Sequence, residues 1–175
     1  TAELKKYAVN GSTDVSPGRF MKLNDETAVV LLWGIGYVAI DGVEGNEIVL
    51  NDKTFPLVQG EALDHTVAGG YLVFPESEGF FSMTAMITDG TELGTSTLGL
   101  DEQFPSNFIS YGNYAFWAVG TSNNFEAEIW YANPSMGTSK LHYKYEVGSP
   151  IKSILMLGVQ NNRLYFISNI DGNVG

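Results

Sequence analysis

The sequence predicts an all-β chain built from a repeated antiparallel sheet, and three observations carry that expectation. Apolar and aromatic runs of strand length are separated by turns rich in Gly, Asn and Asp. The chain holds 20 Gly against 6 Pro, and aromatics make up 13% of it. Tyr and Phe in short, glycine-punctuated runs favour strands over helices. A segment of acid, aliphatic residue and strand formers also recurs: Glu3-Leu4-Lys5-Lys6, Glu47-Ile48-Val49-Leu50 and Glu128-Ile129-Trp130-Tyr131, with Ala85-Met86-Ile87-Thr88 as a copy that lacks the acid. Its starting points at 3, 47, 85 and 128 are spaced by 44, 38 and 43 residues. A repeat of that length is one supersecondary unit used several times.

Taken in chain order, the units run over about 17–60, 61–103, 104–148 and 149–175, the last completed by 1–16. In the first, Pro17 precedes Phe20, the apolar run Ala28 to Trp33 has strand length, and Gly34-Ile35-Gly36 leads into Tyr37-Val38-Ala39-Ile40. Asp41-Gly42-Val43-Glu44-Gly45-Asn46 then turns the chain into Glu47. In the second, Gly69-Gly70 precedes Tyr71-Leu72-Val73-Phe74, and the strand ending at Thr88 runs into Asp89-Gly90-Thr91.

The third unit is the clearest. Phe108-Ile109-Ser110-Tyr111 meets the turn signal Gly112-Asn113. Tyr114 to Val119 is a nearly continuous apolar strand, as expected where both faces are covered. Glu128 to Ala132 is the third strand, and Ser139 to Val147 alternates Leu141, Tyr143 and Tyr145 with polar residues, as an outer strand does. In the fourth, Pro150 precedes an apolar strand, Asn161-Asn162 precedes Arg163 to Ser168, and Asp171-Gly172-Asn173-Val174-Gly175 is the final turn.

Joining the ends reads Asp-Gly-x-x-Gly-x-x-Glu across Gly175 and Thr1, close to Asp41-Gly42-x-x-Gly45-x-Glu47. The expectation is a β-propeller-like ring of about four blades of four strands each, with the two termini sharing one blade and so protecting the sheet edges.

Composition narrows the partners. The net charge is -11, with nine basic residues scattered along the chain, which argues against nucleic acid and anionic membrane surfaces. Acidity suits solubility in a salty or extracellular medium, and also cation binding. The absence of cysteine excludes disulfides, thiolate catalysis and cysteine-ligated metals. No apolar run reaches the ~20 residues of a membrane-spanning helix. The chain opens on Thr1 and reads as a processed product or an excised piece.

With these residues in view, the chain resembles the bacterial ELWxxDGT-repeat proteins. Arg163-Leu164-Tyr165-Phe166 resembles the first part of their unit, Glu128-Ile129-Trp130 the second, and Asp89-Gly90-Thr91-Glu92-Leu93-Gly94-Thr95 the third; Glu3-Leu4 followed by Asn10-Gly11-Ser12 is a weaker copy. The resemblance covers most of the chain, with no single unit keeping both Glu-Leu-Trp and Asp-Gly-Thr. It implies a propeller-like fold and an extracellular or surface-associated location. The motif is structural in kind and brings no catalytic residues.

Chemistry is sparse. His65 and His142 stand in different units, without the spacing of a zinc site. Asp41, Glu44, Asp171 and Asn173 supply oxygens that Ca2+ would accept, but Asp-Gly is also a hairpin turn, and the turn reading is preferred. No Gly-x-Ser-x-Gly elbow occurs, no phosphate loop occurs, and Tyr111-Gly112 reads as a strand end. For a glycan, Trp33, Trp117, Trp130 and Tyr131 are the candidate stacking rings; core packing is the competing reading, and it is preferred for Trp117 and Trp130.

The leading expectation is therefore a non-enzymatic extracellular module of a bacterial surface, binding or structural, acting in adhesion or assembly without a required cofactor. Its partners would be a protein or glycan, or a further copy through the terminal strands. The alternatives are a lectin with sites on blade loops, and a hydrolase or lyase with a carboxylate site at the channel mouth.

Overall fold

The computed structural model describes residues 17–32, 36–43, 46–50, 64–79, 82–98, 103–121, 127–133, 135, 138–144, 151–170 and 173–174. Among them every regular element of any length is a β-strand, and all pairing is antiparallel. No helix among the described residues is long and apolar enough to cross a membrane.

The first sheet is the meander β1 (Pro17–Lys22), β2 (Ala28–Leu32), β3 (Gly36–Ile40) and β4 (Ile48–Val49). A second meander holds β5 (Thr66–Ala68), β6 (Tyr71–Gly79), β7 (Ser82–Thr88) and β8 (Ser96–Thr97). A third holds β9 (Gln103–Tyr111), β10 (Tyr114–Thr121), β11 (Ala127–Asn133) and β12 (Thr138–Lys144). The second and third are joined by one bridge between β7 and β9, Met83 opposite Gln103. The last sheet is β13 (Ile151–Gln160), β14 (Arg163–Ile170) and β15 (Asn173–Val174).

The third strands of the four sheets begin at Gly36, Ser82, Ala127 and Asn173, in steps of 46, 45 and 46 residues. This period is more regular than the one expected from the acid-aliphatic segments, and it corrects their phase. Ala85–Thr88 and Glu128–Tyr131 lie on third strands, but Ile48 and Val49 form the fourth strand of their sheet. The reason lies in the first hairpin. Its turn contains no glycine; Asn24 builds it instead, its Oδ1 accepting the N–H groups of Glu26 at 2.9 Å and Thr27 at 2.8 Å. Such an Asx turn replaces a backbone turn without needing positive φ. Gly36 therefore opens a third strand, not a second.

The end of the chain differs from expectation in the same way. Asn173 and Val174 pair with Ile170 and Asn169, so a short third strand occupies the edge of β14 where the ring-closure reading expects a turn leading to Glu3. Residues 1–16, and with them the pairing of Glu3-Leu4, lie outside the described residues. Among the described residues the sheets do not close: the last sheet shares no ladder with the first.

Alternation along each strand sends neighbouring side chains to opposite faces, and this generates three cores between consecutive sheets. Met21, Val29, Leu31 and Tyr37 of the first sheet meet Leu72 and Phe74 of the second. Val73, Ala85 and Ile87, on the other face of the second, meet Phe108, Trp117 and Val119 of the third. Ala118 and Ile129, on the other face of the third, meet Ile154 and Met156 of the fourth. The middle meanders are buried on both faces, which explains their nearly continuous apolar runs.

Candidate functional site

The hairpins that join first to second strands bring polar groups together. Gly69 (φ +57°) and Gly70 (φ +82°) form the turn between β5 and β6, Gly112 (φ +57°) opens the turn between β9 and β10, and Asn161 (φ +51°) and Asn162 (φ +58°) form the turn between β13 and β14. Tight two-residue hairpins demand such positive φ, which Gly and Asn tolerate best. The turns are neighbours in chain order. A Cβ built on Gly70 would lie 3.9 Å from the carbonyl oxygen of Leu23, and one on Gly69 3.4 Å from Asn113 Oδ1. The Tyr111 hydroxyl donates to Asn162 Oδ1 at 2.6 Å.

Beside this row lies an aromatic platform. The rings of Tyr114 and Tyr131 are 6.0 Å apart, those of Phe116 and Tyr131 6.0 Å, and those of Tyr114 and Phe116 6.5 Å. Phe116 stands directly opposite Tyr131 in the ladder, and Tyr114 opposite Tyr111. All four therefore lie on the same face of the third meander, the face that meets β13 and β14 further along. Tyr111 and Tyr114 remain 43% exposed. Exposed ring faces with phenol hydroxyls and an asparagine amide at the rim suit a ligand with alternating apolar and hydroxyl-bearing surfaces.

Of the candidate rings expected from sequence, Tyr131 belongs to this platform. Trp117 does not: it is 2% exposed and stacks on Phe108, with ring centroids 6.0 Å apart. Trp130 stands opposite Trp117 and packs half-buried against the same core. Its indole N–H donates to Glu128 Oε2 at 3.0 Å, so the acid and the ring of the recurring segment hold each other. Trp33 lies outside the described residues.

The loop from Asp89 to Thr95 is also closed on itself. Asp89 Oδ1 accepts the N–H of Thr91 at 2.9 Å and its hydroxyl at 2.7 Å; Thr91 Oγ1 accepts the N–H of Gly94 at 2.9 Å. The Thr95 hydroxyl donates to the Thr91 carbonyl at 2.6 Å, and Thr88 Oγ1 lies 2.7 Å from Thr95 Oγ1 and accepts the N–H of Gly90. A Cβ on Gly94 would fall 2.0 Å from Asp89 Oδ1, so only glycine leaves the carboxylate its place.

Among the positions expected to attract calcium, Asp41 caps its turn. Its Oδ1 accepts the Val43 N–H at 2.8 Å, and its Oδ2 accepts the Asn46 amide at 3.1 Å. These bonds, the Val43 one foremost, hold its carboxyl below the usual aspartate range. Glu44 and Asp171 lie outside the described residues, and Asn173 is known here only as a member of β15. Among the described residues no three His, Asp or Glu side chains gather in a cluster that could hold a metal ion.

Sequence reasoning missed Tyr111, Tyr114 and Phe116. The signal was a tyrosine on each side of a two-residue turn, Tyr111-Gly112-Asn113-Tyr114. No protein-family model matches the chain, and no curated protein matches it.

Proposed function

We propose that this chain is a non-enzymatic binding or structural module, built of propeller-like blades and acting in adhesion or assembly at a bacterial surface. The observation that carries the reading is what Asp89 of the Asp-Gly-Thr motif and Glu128 of the recurring segment do. Asp89 closes its own loop and Glu128 holds Trp130, so both carboxylates serve the scaffold. Support for propeller-like blades comes from consecutive antiparallel meanders with cores between them, and from first-strand packing of β5 on β9 and β9 on β13. The extracellular setting rests on the resemblance of Asp89–Thr95 and Glu128–Trp130 to ELWxxDGT repeats, together with the net charge of -11.

The test compares wild type with Asp89→Asn and Glu128→Gln. Scaffold roles predict lower thermal midpoints in both variants and no turnover of an oligosaccharide and peptide panel by wild type. Turnover by wild type that Glu128→Gln abolishes without lowering the midpoint overturns the reading.

A second reading, a glycan-binding lectin, is favoured by the platform of Tyr114, Phe116 and Tyr131. This second reading places the useful surface beside the hairpin turns.

A further inference from the structure

The aromatic platform of the third meander has a counterpart, position for position, on the second. Both hairpins turn through two residues, so Tyr111 matches Ala68 and Tyr114 matches Tyr71. Further along, Phe116 stands opposite Tyr131 as Val73 stands opposite Ile87. On the second meander these places belong to a closed core: Ala68 is 2% exposed, Val73 0% and Ile87 2%. Ala115, Trp117, Trp130 and Ala132 of the third meander pack there. On the third meander the three aliphatic places carry aromatic rings, and the interface is open at its edge, with Tyr111 and Tyr114 both 43% exposed. Leu164 and Phe166 of β14 pack against this side and stay half-buried. An interface that only had to close would repeat the aliphatic set. Rings left at solvent beside hydroxyl and amide groups suit a saccharide.

We propose that this edge, between the third meander and the last sheet, is a site for neutral hexopyranose chains, present once in the molecule and not on every blade. The inference rests on the lectin reading above and names its ligand class. The rim has a defined polarity. Asn162 holds φ +58° in its turn, and its Oδ1 accepts the Tyr111 hydroxyl at 2.6 Å. That bond fixes the amide and directs its Nδ2 hydrogens away from Tyr111, whose oxygen can still accept. A sugar hydroxyl both donates and accepts, so it can use both groups. Charge sets the class. Tyr114, Phe116 and Tyr131 on one side, and Leu164 and Phe166 on the other, are all uncharged. Alternation along β14 turns Arg163 to the opposite face from Leu164. With a net charge of -11 on the chain, an anionic sugar is repelled here, and no cation among these side chains offsets it. The site is single because the other two cores are filled at the matching end. Leu23 and Ala39 are buried beside Gly90 in the first, as Ala68 and Ile87 are buried in the second.

Isothermal titration calorimetry on the full chain tests it, with cellotetraose, mannotetraose and β-1,4-galactotetraose as neutral probes and tetragalacturonate as the anionic one. At least one neutral probe is expected to bind with a stoichiometry of one and an affinity that is the same at low and high salt, while tetragalacturonate does not bind. Phe116→Val combined with Tyr131→Ile gives the third meander the residues of the second and should abolish binding. If circular dichroism shows that this variant has lost its β spectrum, Asn162→Gly takes its place. Glycine keeps the positive φ of the turn, and loss of the amide should weaken binding about 3- to 10-fold. Tyr165→Ala, on the other face of β14, should leave affinity unchanged. Binding of tetragalacturonate alone, a stoichiometry above one, or loss of binding in Tyr165→Ala overturns the inference and leaves the lectin reading standing. Binding of none of the four probes overturns both.

Discussion

The Asp64 carboxylate accepts the backbone N–H of Phe108 through Oδ1 at 2.9 Å, and that of Asn107 through Oδ2, tying the start of one meander to the first strand of the next. Asp64 and Asn107 hold equivalent positions: they are separated by 43 residues, the same offset as Gly69 and Gly112, whose φ angles are both +57°. Asn107, itself at φ +57°, passes the link on, its amide donating to the Ile154 carbonyl at 3.4 Å. A polar thread therefore runs across three successive first strands.

Asp64→Ala removes the acceptor of two backbone donors and leaves them part-buried. A loss of about 1–3 kcal/mol is expected, the range for stranding such groups. Asp64→Asn keeps one acceptor oxygen and should lose less. Urea unfolding followed by tryptophan fluorescence measures both, since Trp117 lies in the core beside Phe108. Equal midpoints for wild type and Asp64→Ala would show that the thread contributes nothing.

The loop Asp89–Thr95 predicts a sharp glycine requirement. In Gly94→Ala the new methyl displaces the Asp89 carboxylate, which then gives up its bonds to Thr91. At Gly90, φ is +92° and a Cβ would meet Thr27 Cγ2 of the first sheet at 2.5 Å. Gly90→Ala therefore combines backbone strain with a clash across the sheet interface, and about 1–3 kcal/mol of destabilisation is expected at each site. Pairing Gly90→Ala with Thr27→Ser removes the clashing methyl and should recover part of the loss. Thermal scans of the single and double variants decide this.

Much of the fold was legible because its hairpins carry their own chemistry. Gly69-Gly70, Gly112-Asn113 and Asn161-Asn162 are turns that sequence can name, since each requires positive φ. The first hairpin was misplaced because Asn24 makes its turn through a side chain, and glycine punctuation pointed instead to Gly34–Gly36. The phase of the repeat was misread for a related reason. An acid before an aliphatic strand describes the fourth strand at Glu47 as well as the third at Glu128. In the candidate site, Tyr131 could be singled out, but its companions could not. An apolar run such as Tyr114 to Val119 implies cover on both faces, and only coordinates show that cover stopping short of Tyr114. Asp64 carried no signal that set it apart from the other acids.

Asp41 makes a prediction about pH. The ionised carboxylate accepts the Val43 N–H and the Asn46 amide, and both favour the charged form. The folded group therefore titrates below its ordinary value of 3.8. A depressed carboxylate stabilises its turn above the unfolded value and stops doing so as pH falls through the folded one. The turn is thus expected to hold as pH drops to 3.8 and to loosen below it. Carbon-detected NMR titration of Asp41 should give a midpoint under 3.8. Asn46→Ala should raise that midpoint only partly, because the Val43 bond remains. A midpoint at the ordinary value in wild type would contradict the turn geometry.

The aromatic platform makes the decisive prediction about ligands. Tyr131 contacts both Tyr114 and Phe116, so removing its ring breaks two of the three contacts. If a glycan stacks there, Tyr131→Ala and Tyr114→Ala should each weaken binding about 10-fold or more, the order of loss when an interface anchor is truncated. Trp117→Phe should change affinity little, because that ring is buried on the opposite face, but it should lower stability through the cavity it leaves. Tyr111→Phe loses the hydroxyl bond to Asn162 while keeping its ring, and so separates rim hydrogen bonding from stacking. A glycan array followed by calorimetry on the best binder provides the measurement. Binding that survives Tyr131→Ala but falls with Trp117→Phe would move the site off this face, because the two side chains belong to opposite sides of one sheet.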